Sequence, residues 1–199
     1  MYQSLIIPWS QEPNEAEQQY RDAGLVKTKG TLFLLPPSTD VLRETFNSPP
    51  RPKTRMSSGA VALCKHFERG GASSEHGRHH PFWTLPIGSN ENKTNTAGQI
   101  LESMLAQAAW KNVMLLHHGV AVYEIRNPLG FGMRWTLDLE EKPSAVQFGE
   151  DKLDPTELQD DLDKDWAISR TTFRGFLEPI AGMDHEMPRN KAGNSPSTL

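Results

Sequence analysis

The sequence contains one cysteine, Cys64, in 199 residues. A single cysteine can form neither an intramolecular disulfide framework nor a thiolate-rich zinc site. This excludes the disulfide-stapled class of small secreted domains and favours a reducing compartment. We therefore expect a cytoplasmic or nuclear protein.

Long apolar runs and a strong net charge are lacking as well. No apolar run approaches the roughly 20 residues that a membrane-spanning helix needs, so we expect no membrane partner. The formal net charge is -4, which gives no bulk attraction to nucleic acid. We therefore also expect no general nucleic-acid binding.

Hydrophobic residues are scarce for a compact globule, at 36% of the chain, which indicates that some segments lie outside a packed core. Residues 1–58 are rich in proline, which indicates a partly flexible N-terminal arm.

We expect residues 59–186 to form one domain, because a chain of this length supports one ordinary core. Residues 140–165, with ten acidic and three basic side chains, predict a solvated insertion, and residues 187–199 predict a disordered tail.

Three segments have helical periodicity. A single apolar stripe predicts a helix over residues 97–111, and Thr96-Ala97-Gly98-Gln99 at its start has the form of a capping box. Apolar residues spaced by three and four predict a shorter helix over residues 60–67, with a strand over residues 60–64 as the alternative. One helical turn is expected over residues 40–46.

The clearest strand signal is a strict alternation of apolar and polar side chains over residues 132–138. Turn residues at 127–130 precede it, so residues 120–126 and 132–138 are predicted to form a hairpin. A third strand is predicted over residues 172–178. The fold class that follows is α+β, an antiparallel sheet packed against one or two helices, with the proline-rich arm and the acidic insertion attached.

The predicted hairpin places charged side chains on one face of the sheet. Glu124 and Arg126 lie beside Arg134, and the third strand can add Arg174 and Glu178. Arginine–glutamate pairs on an open sheet surface are ordinary and contribute little to stability. Alternatively, the guanidinium groups form a partly covered site that takes an anion from solution.

Three apolar residues expected on the same face, Val120, Val122 and Phe176, favour the partly covered site. The leading hypothesis is therefore a domain that binds a small anionic ligand, phosphate or carboxylate, through Arg126, Arg134 and Arg174.

Three residues are candidates for weak acid or base chemistry: Glu124, Glu178 and His118. The competing hypothesis is an interaction or adaptor protein, in which the proline-rich arm or the acidic loop binds a protein partner. No motif names a reaction or a cofactor, so the sequence leaves open whether the protein is an enzyme.

Histidines are concentrated around residues 76–80. His76, His79 and His80 are candidate metal ligands, because three imidazoles can bind a transition metal. They lie in a Gly/Ser-rich loop, where solvated histidines are common, so we expect no metal site. The aromatic pair Phe82-Trp83 follows a proline and is expected to anchor this loop in the core.

Four short runs resemble blocks of a small eukaryotic protein family for which no activity is assigned. The runs are His80-Pro81-Phe82-Trp83, Tyr123-Glu124-Ile125-Arg126, Gly130-Phe131-Gly132-Met133-Arg134-Trp135 and Gly175-Phe176-Leu177-Glu178-Pro179. The resemblance spans about residues 60–186 and implies that these blocks belong to one domain. It identifies no catalytic residue, and the acidic segment departs from the more compact spacing of that family.

Overall fold

The computed structural model describes residues 6–71, 82–116, 118–142 and 166–179, without the side chains of residues 67–71. The elements in chain order are α1 (Glu15–Asp22), α2 (Thr39–Asn47), α3 (Ser58–Gly71), α4 (Asn90–Gln107), β1 (Trp110–Leu115), β2 (Ala121–Arg126), β3 (Gly132–Glu141) and β4 (Trp166–Leu177). The candidate metal ligands His76, His79 and His80, most of the acidic insertion and the predicted tail lie outside the described residues.

The four strands form one antiparallel sheet in the order β1-β2-β3-β4. The predicted α+β class is therefore confirmed. Three of the strands correspond to the predicted ones, whereas β1 was not predicted as a strand. Helices α2, α3 and α4 lie on one side of the sheet, and their buried side chains share one core with it.

The central hairpin forms as predicted, and its register follows the alternating pattern. Tyr123 pairs with Trp135 and Ile125 with Met133, and all four side chains are buried in the core under the helices. The turn closes because the Oδ1 atom of Asn127 accepts backbone hydrogen bonds from residues 129 and 131. Polar residues of β2 and β3 therefore share the opposite face.

Helix α4 begins seven residues before its predicted start. The side chain of Ser89 caps the helix by accepting a hydrogen bond from the backbone N–H of Asn92. Thr96 lies inside the helix, where its hydroxyl donates to the carbonyl oxygen of Asn92 at 2.9 Å, so the predicted capping box is wrong. The predicted helix over residues 60–67 is confirmed as part of α3, and the helical turn over residues 40–46 as part of α2.

The proline-rich N-terminal segment supplies part of the core. Tyr20, Leu25, Leu42 and Phe46 are each at most 4% exposed and belong to the same apolar cluster as the sheet. Gly59 at the start of α3 faces the Phe46 ring so closely that a Cβ atom there would collide with it. This contact fixes α2 against α3 and, through Phe46, against the phenyl rings of β4.

Strand β1 lies at the edge of the sheet, and the segment that follows α1 hydrogen-bonds to it. Val26 and Leu32 donate backbone hydrogen bonds to the carbonyl oxygens of Lys111 and Val113, and Gly30 accepts one from Leu115. This pairing satisfies backbone groups that an open edge strand exposes. Among the described helices none has the length and apolar character required to cross a membrane.

Candidate functional site

The sheet face turned away from the helices carries a cluster of two arginines and one glutamate. Glu124 of β2 pairs directly with Arg134 of β3, and Arg126 follows on the same face two residues along β2. The sequence predicted this juxtaposition, because the apolar set of both strands had to face the core. We call Glu124, Arg126 and Arg134 the Arg-Glu-Arg cluster.

Both carboxylate oxygens of Glu124 are occupied. Its Oε1 accepts from Nε of Arg126 at 2.6 Å, and its Oε2 accepts from Nε and Nη2 of Arg134 at 2.8 and 2.6 Å. The side chains of Glu124 and Arg126 are 2% and 1% exposed, whereas that of Arg134 is 21% exposed. Arg134 is therefore the member of the cluster that a partner from solution can reach.

The Arg-Glu-Arg cluster carries one excess positive charge. Two guanidinium groups face a single carboxylate, and a buried charge is costly unless it is paired and hydrogen-bonded. Arg126 also donates from Nη1 to the backbone carbonyls of Gly130 and Glu178. For Arg134, Nη1 makes no hydrogen bond within the described ranges, so this nitrogen remains available to an anion.

Gly132 makes room for Arg126. The two residues are paired across β2 and β3, and a Cβ atom at position 132 would lie 2.8 Å from Cγ of Arg126 and would also collide with the carbonyl oxygen of Ile125. A glycine is required here because any side chain would push the Arg126 stem away from its position. Gly132, the second glycine of the Gly-Phe-Gly-Met-Arg-Trp run, therefore leaves the space that Arg126 occupies in the cluster.

Strand β1 extends the same face with two residues that sequence reasoning missed. Trp110 pairs with Arg126 and Asn112 with Glu124. Asn112 is fully buried, and its amide donates to Thr28 and accepts from Tyr20. The indole Nε1 of Trp110 is buried, and no described residue hydrogen-bonds to it. These residues were missed because β1 has no clear period-two alternation.

The third predicted strand pairs with the hairpin but does not extend the charged face as expected. A β-bulge shifts the register between Arg134 and Trp135, and Arg174 is the extra residue, with Gly175 beside it at a φ of 150°. As a result, Phe173 and Phe176, three residues apart, both reach the core. The expected position of Phe176 on the charged face was therefore wrong.

The side chains of Arg174 and Glu178 lie apart from the Arg-Glu-Arg cluster. Arg174 is exposed at the bulge, and no hydrogen bond or ion pair within the described residues joins it to the other two arginines. The side chain of Glu178 contacts two other residues. Its Oε1 lies 3.0 Å from Nδ1 of His66 and accepts a hydrogen bond from Nε1 of Trp83 at 2.8 Å.

His66, Trp83 and Glu178 form a second polar group, at the end of β4. Trp83 is 1% exposed, as expected for an anchoring aromatic, and the His66 ring packs edge-on against both Trp83 and Phe176. The pair His66–Glu178 is separated by 112 positions in the chain. No local pattern indicates such a contact, so His66 was not among the functional candidates predicted from the sequence.

His118 is not part of either group. It lies exposed in the turn between β1 and β2, whereas the Arg-Glu-Arg cluster lies toward the opposite end of β2, roughly 20 Å away at the usual rise of a strand. Within the ranges that the structure describes, no group of three or more His, Cys, Asp or Glu side chains is placed to hold a metal ion.

A comparison with protein families matches residues 46–142 to the model of a CdiA C-terminal tRNase toxin domain. The chain is similar to a tRNase toxin domain. The match covers just under half of the chain, from the end of α2 to just beyond β3, and contains the whole Arg-Glu-Arg cluster. No curated protein and no solved structure matches the chain.

This match overturns the function expected from the sequence. A tRNase is an enzyme, so the expectation of a small-anion-binding domain, and the alternative of an adaptor protein, were wrong. The expectation of no nucleic-acid binding was wrong too, since the substrate of a tRNase is a nucleic acid.

The expectation was wrong because the net charge of the whole chain sums segments of opposite sign. Residues 140–165 carry ten acidic and three basic side chains, whereas residues 46–142 carry eleven basic and eight acidic ones. The negative net charge therefore comes from the acidic segment. The region that matches the tRNase model is positively charged, which is the sign that attracts a phosphate backbone.

Proposed function

We propose that this protein is an RNA-cleaving enzyme that acts on tRNA. The observation that carries the proposal is the match of residues 46–142 to the model of a CdiA C-terminal tRNase toxin domain. The matched segment includes the two packed helices α3 and α4 and the first three strands of the sheet. It thus contains the framework that holds Glu124, Arg126 and Arg134.

Arg134 is the residue that we assign to the RNA backbone. A guanidinium group donates in a planar fork that fits phosphate oxygens. Two nitrogens of Arg134 are held by Glu124, and the side chain is 21% exposed. The carboxylate therefore fixes the orientation of the guanidinium group. Its remaining nitrogen, Nη1, can donate to a phosphodiester group from a fixed direction.

Glu124 orients the two arginines and does not reach the substrate. Its side chain is 2% exposed, and both of its oxygens already accept hydrogen bonds from guanidinium groups. A carboxylate in this position holds Arg126 and Arg134 side by side against their mutual repulsion. The excess positive charge of the cluster then faces the phosphate.

The chemical contribution of this arrangement is electrostatic. Cleavage of a phosphodiester develops extra negative charge on the phosphoryl oxygens, and fixed cationic donors stabilise that charge without reorganising during the reaction. Removing one such donor lowers the rate by about 10²–10³-fold in well-studied enzymes. Arg134 is positioned to be a donor of this kind.

The test is incubation of the purified full chain with unfractionated tRNA, followed by denaturing electrophoresis. We expect discrete tRNA fragments, and no cleavage of a DNA oligonucleotide with the same sequence as one tRNA arm. Association should weaken as the salt concentration rises, because each phosphate contact releases counterions. Intact tRNA after prolonged incubation with folded protein would overturn the proposal.

A further inference from the structure

The second polar group has the geometry of an oriented histidine. Nδ1 of His66 lies 3.0 Å from Oε1 of Glu178, and the same oxygen accepts from the indole Nε1 of Trp83 at 2.8 Å. Trp83 is 1% exposed and fixed in the core, so it holds the carboxylate in place. The carboxylate in turn fixes the plane and direction of the imidazole.

This contact also fixes the tautomer of His66. An ionised carboxylate only accepts hydrogen bonds, so Nδ1 carries the proton and donates a hydrogen bond to Glu178. In the neutral ring, Nε2 then has a free lone pair. The side chain of His66 is 19% exposed and makes no other hydrogen bond in the described part of the chain. Nε2 is therefore the atom that a substrate hydroxyl can approach.

Glu178 connects this histidine to the Arg-Glu-Arg cluster. Its backbone carbonyl accepts from Nη1 of Arg126 at 3.2 Å, while its side chain contacts His66. One residue therefore contacts both groups, Arg126 through its main chain and His66 through its side chain.

We propose that His66 is a catalytic base of this enzyme and that Glu178 is its positioning residue. The inference rests on the proposed RNA-cleaving function and adds the group that moves a proton. Orientation of a base by a carboxylate on its second nitrogen is a recurrent arrangement for proton transfer from a hydroxyl. The substrate hydroxyl in this case is the ribose 2′-OH.

In the proposed step, Nε2 of His66 takes the proton of the 2′-OH, and the 2′ oxygen forms a bond to the adjacent phosphorus. The bond from phosphorus to the 5′ oxygen breaks, and that oxygen leaves with a proton from water. The imidazolium returns its proton to water. The products are a 2′,3′-cyclic phosphate and a 5′-hydroxyl end.

The first test replaces the imidazole. His66→Asn keeps an N–H that can donate to Glu178 but removes the base, and His66→Ala leaves space for a small molecule. We expect both variants to cleave unfractionated tRNA about 10²–10⁴-fold more slowly than the wild type. Added imidazole should restore a measurable part of the rate of His66→Ala, which a merely structural histidine would not allow.

The second test concerns Glu178 and compares two substitutions of this residue. Glu178→Gln keeps an oxygen that can accept from Nδ1 of His66, whereas Glu178→Ala removes the acceptor. We expect Glu178→Gln to retain a larger part of the cleavage rate than Glu178→Ala, because the amide oxygen still orients the imidazole. Glu91→Gln, which removes an exposed carboxylate at the start of α4, is the matched control and should leave the rate unchanged.

The outcomes separate this inference from the proposed function. If the wild type leaves tRNA intact, the proposed function fails. If the wild type cleaves tRNA and folded His66→Asn cleaves it at the same rate, His66 is not the base, while the function stands. The assignment of His66 would also be overturned if the product carried a 3′-phosphate and if tRNA with a 2′-deoxy nucleotide at the cleavage site were cleaved as well. If thermal denaturation shows that neither His66 variant folds, the rates of Glu178→Gln and Glu178→Ala decide, and a folded Glu178→Ala that cleaves at the wild-type rate overturns the inference.

Discussion

Arg134 donates two hydrogen bonds, from Nε and Nη2, to the single Oε2 atom of Glu124, at 2.8 and 2.6 Å. The donor is partly exposed and the acceptor is buried. The carboxylate is thus held inside the protein while the guanidinium reaches the surface. This polarity, from a buried anion to an accessible cation, is what makes the sheet face suited to a phosphate.

Glu124 should matter for stability as well as for cleavage. Glu124→Gln leaves the 1% exposed side chain of Arg126 without a counter-charge, and breaking a buried ion pair in this way costs about 3–5 kcal/mol. We expect the free energy of unfolding in urea to fall by about that amount, and tRNA cleavage to fall with it. A variant as stable as the wild type would show that the buried charges do not depend on each other.

Gly132 should behave as a sensitive position although it carries no side chain. Gly132→Ala introduces a Cβ that collides with the Ile125 carbonyl and with Cγ of Arg126. We expect lower thermal stability and slower tRNA cleavage, because Arg126 must move. Gly98→Ala is the matched control, since a Cβ at that helical position meets nothing within 4 Å, and it should leave both properties unchanged.

Tyr20 should contribute to stability through its hydroxyl. The Oη atom donates to Oδ1 of Asn112 and accepts from the backbone N–H of Val113, both at 2.6 Å. Tyr20→Phe leaves both partners buried without this bond, which costs about 1–3 kcal/mol. Urea denaturation measures the change. A loss below a few tenths of a kcal/mol would mean that the N-terminal segment is not fixed on β1 by this contact.

Glu17 should make folding sensitive to acid. A hydrogen bond from Lys27, together with bonds from the backbone and hydroxyl of Ser10, lowers the pKa of this carboxyl from 4.5 to about 2. A lowered folded-state pKa stabilises the protein above pH 4.5, and this contribution is lost as the pH falls from 4.5 toward 2. The wild type should lose more stability than Glu17→Gln over that interval, as thermal unfolding at several pH values can measure.

The parts of the fold that were predicted are those with local signals. The β2–β3 hairpin follows from the alternation around Trp135 and from the turn that Asn127 closes, both of which lie within a few residues. The placement of Glu124 beside Arg134 follows directly from that register. In the same way, the apolar periodicity of α3 predicted a helix.

The parts that were not predicted depend on contacts between distant segments. The bulge at Arg174 breaks the period of two, so Phe173 and Phe176 both face the core, and the phase of β4 could not be extended from β3. The pairing of His66 with Glu178 joins residues 112 positions apart. The N-terminal segment was interpreted as an arm because its prolines are more conspicuous than its few buried residues.

The most direct test of the central claim is the single-turnover rate of tRNA cleavage by the wild type, Arg134→Ala and Arg51→Ala. Arg51 is an exposed arginine in the loop between α2 and α3, so its variant controls for the loss of one positive charge. We expect Arg134→Ala to cleave about 10²–10³-fold more slowly and Arg51→Ala to cleave at the wild-type rate. Equal rates for wild type and folded Arg134→Ala would contradict the assignment of this sheet face to RNA cleavage.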